Sequence, residues 1–145
     1  MQYLKVVQGD IFNATEDYIA HQCNCVSKDA KGLAQNIFQI YPHADTYSTR
    51  TQHSKPGTIS IHCNVINMYA QYYPTISKYS NDTPEMRINW FISCLNSMVI
   101  LKPATIAMPY NIGCCLGGGV WDLYSSTLEK FCNDHQMNIT LYHKI

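Results

Sequence analysis

The chain lacks an excess of charge of either sign. Ten Lys and Arg balance ten Asp and Glu, and charged residues fill only 14% of its 145 positions. A neutral chain offers no electrostatic footprint for bulk nucleic acid or for an acidic membrane surface. Long apolar runs are missing too, and none approaches the roughly 20 residues that span a bilayer. The opening stretch MQYLKVVQGD turns polar too quickly for a signal peptide. Seven cysteines are present, but without paired CxxC spacing or a regular disulfide framework. The expectation is therefore reduced thiols in a cytoplasmic setting, with no metal and no cofactor. Internal repeats, low-complexity tracts and linkers are absent, so residues 1–145 read as one domain, expected as a monomer.

What is there is concentrated in Met108 to Trp121, MPYNIGCCLGGGVW. An apolar run, Ala104–Met108, enters it, and a helix-like segment from Val120 leaves it. Gly113, Gly117, Gly118 and Gly119 are four of the chain's seven glycines. Glycine lets backbone N–H groups converge without interference from Cβ. A strand that feeds such a loop into a helix N-terminus makes an anion site. Two readings fit this stretch: a phosphate cradle, or a tight strand-to-helix turn whose glycines solve only a steric problem.

Periodicity orders the rest. Tyr3–Val7 and Tyr18–Cys25 have the composition of buried strands. Gly32–Tyr41 places Leu33, Ile37, Ile40 and Tyr41 on one helical face, and Pro42 stops it. Thr58–Cys63 alternates as a strand, and Val65–Tyr73 reads as its neighbour. Thr83-Pro84-Glu85 is a helix start, and the apolar stripe runs to about Leu101. A helix from Val120 to about Asp134 and a strand at Asn138–His143 close the chain. The order implies an α/β domain with a mixed sheet covered by helices on both faces. Ligands in such sheets sit at the carboxyl ends of strands, over loops entering helices. Ser27–Gly32 and Ile112–Gly119 both have that form, and two neighbouring anion cradles suit a diphosphate.

The motifs in this order resemble macrodomains, the ADP-ribose-binding modules. Gly9-Asp10-Ile11-Phe12 resembles their GD-[IL] signature. His21-Gln22-Cys23-Asn24-Cys25 followed by Gly32-Leu33-Ala34 resembles the first phosphate loop. Met108-Pro109 with Ile112-Gly113-Cys114 resembles the second, and Asn67-Met68-Tyr69-Ala70-Gln71 fits the central strand. The resemblance spans essentially the whole chain. It is nearest the branch of ADP-ribose-1″-phosphate phosphatases and terminal ADP-ribose glutamate hydrolases, which has phage and viral members. It implies a three-layer α/β/α fold with a mixed central sheet, and ADP-ribose or an ADP-ribosylated molecule as partner.

Carried over by position, the resemblance makes Asp10 the acceptor for the adenine amino group, with the Ile11 N–H beside it and Tyr142 against the base. Backbone groups of Gly32, Leu33 and Ala34, and of Ile112, Gly113, Cys114, Cys115, Leu116 and Gly117, would hold the diphosphate. Asn24 would reach the distal ribose, and His21 would sit near C1″ as a candidate acid or base. Plainer readings stand beside these: Asp10 as a turn cap, Tyr142 as a core aromatic, His21 as a satisfied buried histidine. The chain also departs from the pattern. Ala30 replaces the first loop's first glycine, and Cys115 replaces the glycine after the second loop's cysteine. Gln71 and Gly117 stand where glutamate-deacylating members have a lysine and an acid, so a covalent lysine mechanism is not expected. Three functions follow as expectations: hydrolysis at the distal ribose C1″, capture of ADP-ribose without turnover, or binding of a different dinucleotide on a similar scaffold.

Overall fold

The strand expected at Tyr3–Val7 forms at Leu4–Gln8 (β1) in a computed structural model that describes residues 2–114 and 118–144. It is followed by Tyr18–Asn24 (β2), Gly32–Ile40 (α1), Ile59–His62 (β3) and Val65–Gln71 (β4). Then come Pro84–Ser97 (α2), Thr105–Pro109 (β5), Trp121–His135 (α3) and Asn138–His143 (β6). The six strands form one sheet in the order β1-β6-β5-β2-β4-β3. All neighbours are parallel except β3, which runs antiparallel to β4. The sheet is therefore mixed, as the element order requires.

Two apolar clusters divide the helices between the faces. Phe91 and Leu95 of α2 and Leu128 and Phe131 of α3 pack on Ile66, Met68, Ile106 and Met108. Ile37 and Phe38 of α1 pack with Ile19, Cys23, Val65 and Tyr47 on the other face. The result is three layers, with one helix below the sheet and two above. The inner strand β4, between β2 and the edge strand β3, is buried along its whole length, which a strand covered on both faces must be.

Two expectations change. The composition of β1 predicts burial, yet Lys5 to Gln8 are exposed, because β1 is an edge strand that pairs only with β6. Its β-branched composition reports fit to a pleated surface, not burial. The apolar stripe predicts that helix α2 reaches Leu101, but the helix ends at Ser97 and a 3-10 turn covers Val99–Leu101. The stripe runs on while the hydrogen bonds tighten: Leu101 N–H donates to Met98 O at 3.0 Å. The start of α2 is as expected, with Thr83 Oγ1 accepting from the Met86 N–H at 3.1 Å and Pro84 in the first turn.

Candidate functional site

The parallel strands all point their carboxyl ends at one rim. β2 ends at Asn24, β4 at Gln71 and β5 at Pro109, and these residues border a cavity of about 310 Å³. Pairing slips between Cys23 and Asn24, so that Asn24 stands beside Gln71. Such a bulge re-aims side chains at a strand end. The first loop closes one side of the cavity with Leu33 and Ala34, and the second closes another with Ile112 and Gly113. The two loops thus lie side by side, as the element order predicts.

The first loop enters α1 through Gly32, whose φ is +60°. Lys31, at the N-cap, makes no side-chain capping bond. The first-turn N–H groups therefore keep the orientation and partial charge that draw an anion. The second loop is partly a tight turn, as its plainer reading has it. Ile112 N–H donates to Pro109 O at 3.2 Å and Cys114 N–H to Asn111 O at 2.9 Å. These two amides are turned into the loop, which corrects their expected role as phosphate donors. Neither bond uses the Gly113 N–H. Gly113 has φ +79°, and a Cβ there would lie 2.7 Å from the Tyr124 ring and 3.0 Å from Gln22 Oε1. Cys115, Leu116 and Gly117 lie outside the described residues.

His21 borders the cavity from β2 but is itself buried. Its Nε2 lies 2.6 Å from Asn67 Oδ1, and its ring meets Phe38 edge-on at 5.5 Å. Burial pushes its pKa down to about 4 against the opposing effect of the hydrogen bond to Asn67. The ring is thus neutral at pH 7. Asn24 Oδ1 accepts from the N–H groups of Val26 and Ser27 at 3.1 and 2.8 Å. That fixes the amide and leaves Nδ2 as its donor. Gln22 Nε2 donates to Gln71 Oε1 at 2.8 Å, and Gln71 Nε2 donates to Tyr73 O at 2.9 Å. The place where related patterns carry a lysine is held here by a chain of neutral amides.

Asp10, Ile11 and Tyr142 gather one strand away from the cavity. Tyr142 on β6 is the register partner of Pro109. Asp10 caps the short turn Ile11–Asn13, accepting from the Phe12 N–H at 3.0 Å, and Lys144 lies 3.4 Å from its other oxygen. That backbone bond holds its carboxyl below the ordinary pKa. The turn-cap reading of Asp10 is realised in the structure. Tyr142 donates to Glu16 Oε1 at 2.6 Å.

Sequence reasoning misses Tyr47, Thr75, Tyr110 and Asn111, which also border the cavity. Tyr47 comes from the irregular segment after α1, and its hydroxyl accepts from the Asn24 N–H at 2.7 Å. Thr75 and Asn111 both have positive φ, +67° and +65°. A β-branched residue there is an outlier that its surroundings must enforce. Arg87 enforces it: its Nη1 donates to Thr75 O at 2.9 Å while Nε and Nη2 grip buried Asp82 at 2.8 and 2.7 Å. No periodicity announces that arrangement. Among the described residues, no group of three His, Cys, Asp or Glu side chains could hold a metal ion.

No protein-family model and no curated protein matches the sequence. Solved structures do match, and over the whole chain. A Bacteroides thetaiotaomicron protein superposes with a TM-score of 0.76 at 22% identity, covering 97% of this chain and 99% of that one. The macrodomain of Mycobacterium tuberculosis DarG gives 0.74 at 19% identity, covering 98% of each chain. Thermosipho africanus DarTG in complex with ADP-ribose gives 0.74 at 18% identity, covering 99% of this chain and 42% of that one. Superposition over essentially the whole length, with the same mixed sheet between helical layers, settles the architecture: this chain has the macrodomain fold.

Proposed function

We propose that the protein binds ADP-ribose or a derivative in the rim cavity. We further propose that it acts at the distal ribose C1″, as an ADP-ribose-1″-phosphate phosphatase or an ADP-ribosyl hydrolase. One observation carries the reading: two strand-to-helix loops converge on a single cavity, with the Asp10–Tyr142 cluster one strand to the side. In this reading the base lies by Asp10, Ile11 and Tyr142, where an aromatic face suits it. The pyrophosphate lies between the α1 N-terminus and Gly113. The distal ribose then falls at the opposite pole, by His21, Asn24 and Gln71. The complex of Thermosipho africanus DarTG with ADP-ribose supports this choice of ligand.

The chemistry would rest on positioning. Asn24 Nδ2 is a fixed donor for a ribose hydroxyl. Neutral His21 is not a proton donor at pH 7, so its role would be to orient the ribose or a water. That water would add to C1″ or to phosphorus, and the departing group would take up its proton. Held geometry alone lowers a barrier substantially.

A second reading is capture without turnover. Gln71 in place of a nucleophile and the absence of a charged acid at His21 favour it. Calorimetry with product analysis tests both. Micromolar binding of ADP-ribose-1″-phosphate with released phosphate, falling at least tenfold in His21→Ala while binding persists, supports the enzyme. Binding with no product over hours supports capture. No binding of any ADP-ribose compound sinks both.

A further inference from the structure

Arg50 lies on the segment that folds over the end of β2. Its guanidinium carbon sits 4.6 Å from the Tyr47 ring centroid. Nη2 donates to Asn24 O at 3.2 Å. Its Nε and Nη1 are buried and have no hydrogen-bond partner among the described residues. Nor does any described carboxylate pair with it. Arg50 is half-buried as a residue, but two buried N–H edges of a cation with neither a hydrogen-bond partner nor a counter-charge are costly and are rarely kept without a reason.

The residues that Arg50 touches are those of the distal pole, since Asn24 and Tyr47 both border the cavity. The other side chains there, His21, Gln22, Gln71 and Thr75, are neutral at pH 7. Behind Thr75, Asp82 and Arg87 form a pair without net charge. Asp29 and Lys31 of the first loop also border the cavity and carry opposite charges. Arg50 keeps no ion-pair partner among the described residues, and Asp45, the carboxylate on its own segment, is engaged by the Tyr47 and Ser48 N–H groups. The field of Arg50 is felt locally: burial raises the pKa of Cys23, Cys25 and Tyr47, and Arg50 opposes the rise at each. In a protein interior of effective dielectric constant near 20, such a charge acts about fourfold more strongly than in water.

We infer that Arg50 makes the distal pole select an anionic group, a phosphate ester at C1″ over a free hydroxyl, by acting through Asn24 and Tyr47. It is a positioning residue, one layer behind the ligand. The inference rests on the ADP-ribose reading and chooses between its two branches.

The test is calorimetry with ADP, ADP-ribose and ADP-ribose-1″-phosphate on the wild type, Arg50→Lys, Arg50→Met and Arg50→Gln. The wild type should bind the phosphate ester at least tenfold more tightly than ADP-ribose. Arg50→Lys should keep that preference, and the neutral variants should lose it. ADP, which has no distal ribose, should bind all four proteins alike. Equal affinity of the wild type for the ester and for ADP-ribose overturns the inference, as does a preference that survives in Arg50→Met or Arg50→Gln. If neither neutral variant binds ADP, Arg50 is a folding residue and the inference fails. If ADP and ADP-ribose do not bind the wild type, the ADP-ribose reading itself has failed, which is a separate result.

Discussion

His21 and Asn67 face each other across neighbouring strands, Nε2 to Oδ1, at 2.6 Å. The Asn67 amide cannot turn over, because its Nδ2 donates to the Ala44 carbonyl at 2.8 Å. Asn67 therefore presents an oxygen to the ring, and His21 must donate from Nε2. The tautomer follows from a backbone carbonyl one residue removed, and Nδ1 is left as the acceptor. A histidine held this way orients groups around it and does not carry charge at neutral pH.

That arrangement predicts a pH dependence of stability. An unfolded histidine titrates near 6.5, and burial lowers the folded value to about 4. Between those values the unfolded chain binds the extra proton, so stability falls as pH drops from about 6.5 and levels off near 4. The full effect is about 3–4 kcal/mol, because the gap between the two values is worth about 1.4 kcal/mol for each pH unit. Urea denaturation of the wild type and of His21→Gln, at pH 7 and at pH 4.5, measures it. Gln keeps a donor for Asn67 but does not titrate. The loss on acidification should be smaller in the variant, and equal losses in both proteins would exclude His21 as the cause.

Gly113 predicts a loss of binding that Gly57 does not. Both have positive φ, +79° and +82°, so alanine at either is strained. At Gly113 the added Cβ would also strike the Tyr124 ring and crowd Gln22. Gln22 borders the cavity, as Gly113 itself does, whereas Gly57 faces Trp90 and Ser93, which do not. Gly113→Ala should weaken ADP-ribose binding at least tenfold. Gly57→Ala should lower the melting temperature and leave the affinity within about twofold. Calorimetry on both variants, with melting curves, separates the two effects, and retained affinity in Gly113→Ala would remove the second loop from the site.

Asp82→Ala should both destabilise the fold and disturb the cavity. The variant keeps a buried Arg87 and takes away the carboxylate that it grips through two bonds. Breaking a buried pair in this way costs about 3–5 kcal/mol. Thr75 is held in its left-handed conformation by the same guanidinium, so the loop at the distal pole should relax. The expected result is a Tm drop of about 10 °C or more, with weaker binding of ADP-ribose but not of ADP. An unchanged Tm would show that Arg87 finds equivalent partners without Asp82.

The elements are legible in the sequence because each is stated locally. Thr83-Pro84-Glu85 announces α2, and Pro42 ends the stripe of α1. The loops are legible because four of the seven glycines gather in one, and the apolar run of β2 turns polar just before the other. Tyr47 and Arg50 are not, since their segment has no periodicity and their partner, Asn24, is more than 20 residues away in the chain. The Asp82–Arg87 grip on Thr75 is equally hidden, because a positive φ at threonine leaves no mark in composition. Burial of His21 is half legible: its apolar neighbours indicate it, but the amide that sets its tautomer comes from another strand.

Asp10 allows the adenine assignment to be tested apart from the cap that it forms. Its Oδ1 accepts from the Phe12 N–H, and its other oxygen faces Lys144 at 3.4 Å on a largely exposed surface. Asp10→Ala loses the cap, which costs about 1 kcal/mol of stability. Asp10→Asn keeps a side-chain oxygen for Phe12, so the turn should survive. Asparagine can also offer a donor outward, and a donor no longer demands an adenine amino group from the ligand. If Asp10 reads the base, wild-type protein should prefer ADP-ribose to its hypoxanthine analogue by about tenfold, the scale of one lost hydrogen bond to a charged group. The preference should shrink or invert in Asp10→Asn with Tm unchanged. A variant that keeps the wild-type preference would leave Asp10 as a turn cap alone, and the base would have to be read by Tyr142 and the backbone of Ile11.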